Sequence, residues 1–189
     1  MKTRLASVAV LLSLGLAAPG VLAADLAVLP PRAPADLEIV ARGAAEWVRV
    51  RFSEAGLPSS DEFSLAAALP PDRPRALPSR EALRDLRGQR GAERAWVLDV
   101  DADRGNAVLQ VVLVDLDSGS IAAAGRAATS VASLGGAVAT VTDAVISQAG
   151  AAGRTLSPPG LAELDRYGRA AVALDGGRLA DAWRALGNK

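Results

Sequence analysis

The middle of the chain alternates between apolar and polar residues, and this stretch limits the possible folds more than any other. The alternation over residues 96–103 is typical of a strand with one face in water. Residues 107–116 (AVLQVVLVDL) are rich in β-branched residues and predict a central strand, and residues 121–128 predict a third, weaker one. Turn residues separate the three, with Arg-Gly-Asn at 104–106 and Asp-Ser-Gly-Ser at 117–120. We therefore expect an antiparallel meander of three strands joined by tight hairpins.

Helical patterns lie on both sides of this meander. A short apolar run at residues 25–29 predicts a buried strand, and a long amphipathic helix follows, with Asp36 as its candidate N-cap and Gly56 as its stop. A second helix is expected to begin at Ser130, directly after the meander. The apolar stripe of the first helix consists of Leu37, Val40, Ala41, Ala44, Val48, Phe52 and Ala55.

Residues 57–78 are rich in proline and interrupt the regular patterns. One of two short apolar runs, at 63–69 or at 76–77, is a candidate strand, and the remainder is typical of a surface loop. Ser79 is then expected to cap a short helix that ends at Gly88. The fold class predicted from these elements is α/β (α+β), with helices that cover a mixed sheet.

The end of the chain predicts a two-helix hairpin. After the α/β domain at residues 24–150, residues 151–160 are expected to be a linker, and residues 161–189 contain two helical patterns separated by Gly176-Gly177. About thirty residues are too few to bury a core of their own. We therefore expect the hairpin to dock on the main domain or on a partner.

The first residues have the pattern of a signal peptide. Lys2 and Arg4 precede an apolar run at residues 6–18, and cleavage is predicted after Ala23. The run is short for a membrane span, which needs about 20 residues, although a retained N-terminal anchor is the alternative. We expect residues 1–23 to be removed and the rest to be periplasmic or secreted, without stable membrane insertion. Because the chain has no cysteine, no lipid attachment is expected behind the cleavage site.

Charge and composition exclude several functions. Basic and acidic residues balance at 21 each, which gives no electrostatic basis for binding nucleic acid or anionic lipid. Histidine and cysteine are both absent, so the common general base, the thiol nucleophile and the usual zinc or iron ligands are missing. Asp115 and Asp117 are the remaining candidates for a carboxylate-dependent hydrolase, but they flank a turn where aspartate is common. We therefore predict a protein that is not an enzyme and that holds no cofactor.

The stretch DVDADRG at residues 99–105 resembles the start of a calcium loop. An EF-hand loop that began at Asp99 would need glycine at its sixth position and glutamate at its twelfth, where this chain has Arg104 and Gln110. Alternate residues of a strand lie about 6.6 Å apart along one face, so the three carboxylates do not converge on one ion. The stretch predicts a solvated strand that leads into a hairpin, and no metal site.

Three tryptophans are the candidate contact residues. Trp47 lies beside the apolar stripe of the first helix, where it is either a core-margin residue or an exposed contact, and Trp96 is expected in the core. Trp183 shares a helical face with Leu179 and Leu186, which predicts the seam by which the tail docks. Tryptophan is enriched at binding hot spots. Trp47 and Trp183 are therefore possible interaction residues, with burial as the alternative.

The order of elements resembles the TolB amino-terminal-domain and CsgG-like group of bacterial envelope proteins. The resemblance covers residues 25–148 and rests on "LAVLPP", "EIVARGAAEWVRVRFSEAG" and "GAERAWVLDVDADRGNAVLQVVLVDLDSGSIAAAG". It implies envelope complexes, secretion pores or activator lipoproteins that work through protein contacts, although this chain lacks a lipobox cysteine and β-propeller repeats. The tail "LDRYGRAAVALDGGRLADAWRAL" is similar to part of a tetratricopeptide repeat, in which Tyr167, Ala171, Leu174, Gly176 and Ala182 hold comparable positions.

These observations predict an exported, non-enzymatic accessory or assembly protein of the cell envelope with a protein partner. The alternative is a periplasmic binding module for a small molecule or a peptidoglycan fragment.

Overall fold

The computed structural model describes residues 26–62, 84, 87 and 92–187. The described residues form five strands and four α-helices. The strands are β1 (Leu26–Val28), β2 (Ser59–Glu62), β3 (Arg94–Asp103), β4 (Asn106–Asp115) and β5 (Ile121–Ser130). The helices are α1 (Glu38–Glu54), α2 (Leu134–Gln148), α3 (Leu161–Asp175) and α4 (Leu179–Ala185). The signal-peptide prediction, both apolar runs within 57–78 and the ends of the helix expected between Ser79 and Gly88 lie outside the described residues. Arg84 and Arg87 within that segment are helical.

The strands form one mixed sheet in the order β2-β1-β3-β4-β5. β1 runs parallel to both β2 and β3, while β3, β4 and β5 form the predicted antiparallel meander. Asp103 pairs with Asn106 across a two-residue turn in which Arg104 and Gly105 have φ values of 50° and 83°. Positive φ at both central positions fits the right-handed twist of the flanking strands. The fold class, the mixed sheet and the meander are confirmed.

The core lies between one face of the sheet and helices α1 and α2. The ring of Phe52 on α1 meets that of Trp96 on β3 edge to face, with centroids 5.5 Å apart and an interplanar angle of 76°. Ala41, Ala44 and Val48 of the predicted stripe are also buried, and so is Trp96, as expected. A smaller apolar cluster that includes Val112, Val114 and Leu116 occupies the other face.

Three boundaries differ from the sequence predictions. The first concerns β2 at Ser59–Glu62, which pairs with β1 at a place where no strand was predicted, while the two apolar runs that were candidate strands lie outside the described residues and stay predictions. Leu37, and not Asp36, is the N-cap of α1, since burial of the Leu37 side chain and its N–H bond to Pro34 O (2.9 Å) fix the first turn. Helix α2 begins at Leu134, after a 3₁₀ turn at Val131–Ser133, and not at Ser130.

The C-terminal hairpin docks on the main domain, which was one of the two alternatives expected: α3 packs on α1, and α4 packs on α3. Helix α3 crosses α1 where two glycines meet. A Cβ on Gly43 would lie 1.8 Å from Leu164 O, and one on Gly168 would lie 1.8 Å from Ile39 O. Leu164 is buried in the main core. The division of the chain into domains at residues 151–160 stays a prediction.

Candidate functional site: a groove beside the C-terminal helices

A groove of about 620 Å³ lies between α1 and α3. Its walls come from the solvent side of α1, from the segment before α3, from the outer side of α3, and from the residue that follows α4. The lining residues are Arg42, Glu46, Trp47, Arg49, Val50, Leu156, Ser157, Glu163, Tyr167, Ala170, Ala171, Leu174, Asp175 and Leu186. The two helices touch at the Gly43–Gly168 contact. Beyond this point larger side chains separate the two helix backbones, and the groove lies in the space between them.

The floor of the groove is apolar, and so is part of its rim. Trp47 is only 7% exposed, which makes it the core-margin residue that the sequence allowed, although it also lines the groove. Ala170 and Ala171 are buried beside it. Val50 and Leu174 at the rim are about half exposed, at 50% and 53%. The groove thus offers a dry floor and exposed apolar edges to an incoming molecule.

Helix α4 adds an apolar stripe that ends at this groove. Leu179, Trp183 and Leu186 are spaced at i, i+4 and i+7, so they share one face of the helix. They are 60%, 53% and 40% exposed, and Leu186 also lines the groove. Arg178 and Arg184 flank the stripe, and both approach the carboxylate of Asp181, Arg184 at 2.6 Å.

The prediction that Trp183 forms the docking seam is wrong. The seam between α3 and α4 is made of alanines instead: Ala170 and Ala173 of α3 pack against Ala182 and Ala185 of α4. Small side chains allow two helix backbones to approach closely, whereas tryptophan would hold them apart. The signal that could have found this seam is the recurrence of alanine three residues apart on both helices. The role of Trp47 and Trp183 in binding stays a prediction.

The polar groups of the groove are bonded to one another. The Tyr167 hydroxyl donates to Glu163 Oε1 (2.6 Å), and Glu163 Oε2 accepts a longer bond from the backbone N–H of Gly160 (3.4 Å). The hydrogen bond to the Glu163 carboxylate raises the pKa of Tyr167 above its ordinary value, and partial burial adds to this shift. At the two ends of the groove, Arg49 pairs with Glu46 (2.6 Å) and Arg42 with Asp175.

This arrangement suits contact rather than proton transfer. The carboxylates of the groove each have a partner: Glu46 and Asp175 pair with arginines, and Glu163 accepts hydrogen bonds from Tyr167 and Gly160. An apolar floor with a few partnered polar groups around it is the usual composition of a protein-binding or ligand-binding surface. That the chain is not an enzyme stays a prediction.

The aspartates that the sequence singled out lie elsewhere, at the turn between β4 and β5 and on strand β3. Asp115 Oδ1 accepts hydrogen bonds from the backbone N–H groups of Asp117 and Ser118 and from the Ser118 hydroxyl. These bonds, that of the Ser118 N–H first, lower the pKa of Asp115. Asp115 is therefore a turn residue, as its position in the sequence suggested.

The three alternate aspartates of DVDADRG lie on β3, which continues into the hairpin. Asp99 pairs with Arg32 at 3.1 Å, while Asp101 and Asp103 are exposed. Within residues 26–62 and 92–187, no three acidic side chains are grouped closely enough to hold a metal ion. In the same part of the chain, no helix combines the length and the apolarity that crossing a membrane requires.

Solved structures provide the available comparisons, since neither a family model nor a curated protein matches the sequence. The C-terminal domain of LpoB from Salmonella enterica is similar at 20% identity, over 59% of this chain and 87% of that one, with a TM-score of 0.40. A PelC dodecamer from Paraburkholderia phytofirmans is similar at 14% identity, over 67% and 87%, with a TM-score of 0.44. Lipoprotein GNA1162 from Neisseria meningitidis is similar at 16% identity, over 57% and 80%, with a TM-score of 0.40. Membership of the TolB and CsgG-like group, and the likeness to a tetratricopeptide repeat, stay predictions.

Proposed function

We propose that this chain is an exported, non-enzymatic accessory protein of the cell envelope, and that it works by binding a partner protein in the groove. The observation that carries the proposal is the concentration of exposed apolar side chains at this groove. Val50, Leu174 and Leu186 line it, and Leu179 and Trp183 extend the same surface along α4. Exposed apolar side chains that are contiguous mark interaction sites, whereas single ones are common everywhere.

The proposed partner inserts apolar side chains between α1 and α3 and lies along α4. Tryptophan and arginine are both among the residue types most enriched at binding hot spots, and Trp183 lies between Arg178 and Arg184 in the sequence. Export is supported by the N-terminal pattern of Lys2, Arg4 and the apolar run at residues 6–18. The mature protein recovered from outside the cytoplasm is expected to begin at Ala24.

The test is a matched pair of surface variants. The double variant Leu179→Ser/Trp183→Ser removes the stripe, and Val172→Ser removes a side chain that is 38% exposed on α3 and does not line the groove. A photo-crosslinking amino acid in place of Trp183 identifies the partner in the native host, and one in place of Val172 is the control. Binding of the purified partner is then measured for all variants.

We expect a specific crosslink from position 183 only. Loss of two anchors at about 2 kcal/mol each would weaken binding to the purified partner by roughly a thousandfold, whereas Val172→Ser should leave binding unchanged. Equal crosslinking from both positions, or full binding by the double variant, would contradict the proposal.

A second candidate, a binding module for a small molecule or a peptidoglycan fragment, is favoured by the size of the groove. Its volume of about 620 Å³ lies within the range of small-molecule sites. A rise in melting temperature with purified muropeptides, abolished by Tyr167→Phe and Glu163→Gln together, would support this candidate over the first.

A further inference from the structure

Among residues 26–62 and 92–187, the other surface with unused binding capacity is the edge of the sheet at β5, where no further strand of this part of the chain pairs. β5 is the last strand in the sheet order and is 10 residues long. In an antiparallel pair, alternate residues of an edge strand direct their N–H and C=O groups away from the neighbouring strand. Proteins usually protect such an edge with proline, several charges or a short strand. β5 (IAAAGRAATS) has no proline, and Arg126 is its only charged residue.

Gln148 at the end of α2 occupies one position along this edge. The Ala124 N–H donates to Gln148 Oε1 (3.1 Å), and Gln148 Nε2 donates to Ala124 O (3.0 Å). A side-chain amide has the same donor and acceptor as a peptide group. Gln148 therefore stands where the peptide group of an additional strand would bond. Since the Gln148 side chain is exposed, another amide can replace it without breaking a buried contact.

The two bonds to Ala124 also establish which residues face outward. Arg126 and Ala128 lie two and four residues beyond Ala124, and alternate residues of a strand direct their backbone groups the same way. Their N–H and C=O groups therefore point away from β4 as well. The edge thus presents three consecutive outward positions, of which the side chain of Gln148 fills the first.

We infer that the edge of β5 accepts an extended segment of a partner protein as an added strand. In the free protein, the side-chain amide of Gln148 makes the two hydrogen bonds to Ala124 that this strand would make. This surface shares no residue with the groove, so this inference and the proposed function can fail independently. Addition of a strand to a sheet edge is an established mode of peptide recognition, in which backbone hydrogen bonds supply much of the affinity.

A second copy of the chain fits this edge less well than a peptide does. Two antiparallel copies of β5 would be related by a two-fold axis perpendicular to the sheet, which places both α2 helices on the same face. Adjacent strands lie about 4.8 Å apart, whereas packed helices need about 8–10 Å. Helix α2 lies directly over β5, where a Cβ on Gly125 would be 2.6 Å from Val141 O. An extended peptide brings no helix and avoids this crowding.

The charge on the edge favours an acidic segment. Arg126 is exposed and lies opposite Gln110, and none of the ion pairs among the described residues includes it. Asp99, one strand further, is already paired with Arg32. An aspartate or glutamate on the added strand would lie beside Arg126, and cross-strand pairs of opposite charge are favourable.

The test uses a blocked heptapeptide of alternating valine and threonine with one central aspartate. Its control is the same peptide with N-methyl groups on alternate backbone nitrogens, which cannot donate to the edge. Binding to the full chain is followed by NMR, through the shifts and hydrogen exchange of the amides of Ala124, Arg126 and Ala128. Ser147→Ala, a neighbouring exposed residue of α2, is the matched control for Gln148→Ala.

We expect the unmodified peptide to protect these amides from exchange and the N-methylated peptide to leave them unprotected. Gln148→Ala removes the competing amide and should tighten binding by about tenfold, since one to two net hydrogen bonds no longer have to be exchanged. Arg126→Glu should weaken binding of the peptide that contains aspartate. It should weaken binding less when the central aspartate of the peptide is replaced by asparagine.

Three results would overturn the inference. The first is that the peptide changes the chemical shifts of Trp183 and Leu186 instead of those of β5, which would support the groove alone. The second is that Gln148→Ala dimerises and still binds no peptide, which would assign the edge to a second copy. The third is that neither peptide binds the wild type or Gln148→Ala at millimolar concentration, which would make Gln148 a cap of the edge and nothing more.

Discussion

Gly43 of α1 and Gly168 of α3 meet at a helix crossing so close that neither position can hold a side chain. A Cβ on Gly43 would lie 2.8 Å from the Gly168 nitrogen, and one on Gly168 would lie 3.1 Å from the Gly43 nitrogen. This contact holds α3 against α1 and thereby sets the width of the groove. It is the structural basis of the first prediction.

Gly168→Ala should displace α3 from α1. The new methyl group would overlap Ile39 O, and the backbone must shift to relieve the overlap, at a cost of about 1–3 kcal/mol in the free energy of unfolding. Gly136→Ala is the matched control, because a Cβ there meets nothing within 4 Å. Gly136 lies in the first turn of α2, so alanine should leave the protein at least as stable, with a gain below about 1 kcal/mol. Chemical denaturation measures both. Equal stability of the two variants would show that the crossing tolerates a wider separation.

The buried guanidinium of Arg51 depends on Asp143. Arg51 Nε donates to Asp143 Oδ1 at 2.8 Å, and the Arg51 side chain is only 5% exposed. Asp143→Ala should therefore leave a buried charge without its counterion. Because Asp143 itself is partly in water, we expect a loss of about 2 kcal/mol, below the range for a fully buried pair.

The control for Asp143→Ala is Asp165→Ala. It removes the carboxylate from an exposed helical pair with Arg169, and it should leave the denaturation midpoint unchanged. Similar losses for the two variants would mean that Arg51 is solvated after the loss of Asp143.

The single tyrosine of the chain reports directly on the groove. Because the Glu163 carboxylate accepts a hydrogen bond from the Tyr167 hydroxyl, the folded state favours the neutral phenol, and the pKa of Tyr167 lies above its ordinary value of 10.0. The stability gained from this bond is fully present below about pH 10 and is lost as the pH rises through the folded-state pKa. Absorbance at about 295 nm, the tyrosinate band, follows the titration.

Glu163→Gln should return the titration of Tyr167 toward its ordinary range. Glu46→Gln, a change at a groove residue that pairs with Arg49, should leave the titration where it is in the wild type. A wild-type midpoint at or below the ordinary value would contradict the hydrogen bond between Tyr167 and Glu163.

Asp115 should contribute to stability only in its ionised form. Its pKa is lowered chiefly by the Ser118 N–H, so the stabilisation is present above about pH 4, the unfolded-state value, and is lost as the pH falls through the folded-state pKa. Asp115→Asn should cost about 0.5 kcal/mol at neutral pH, because the carboxylate is partly in contact with water, and should reduce the pH dependence below pH 4. Chemical denaturation at a series of pH values measures the effect, with Asp117→Asn as the control. If Asp115→Asn left the loss of stability below pH 4 unchanged, the prediction would be wrong.

Local patterns determined much of the fold in advance. Alternation and turn residues predicted β3, β4 and β5 with both hairpins, because strand period and two-residue turn chemistry are encoded within a few neighbouring residues. The stripe that ends at Phe52 predicted α1 and its buried face for the same reason. The pair Gly176-Gly177 predicted the break before α4.

The candidate site depended on contacts that no local pattern encodes. The groove required Gly43 and Gly168 to meet across more than a hundred residues, and the exposure of Trp183 followed from an alanine seam that turned its helical face outward. Likewise, β2 was selected by pairing with β1 rather than by its own hydrophobicity. Periodicity shows that a helix or strand has an apolar face. Only the packed structure decides which apolar face is buried and which is left to bind, because that depends on shape complementarity between elements distant in sequence.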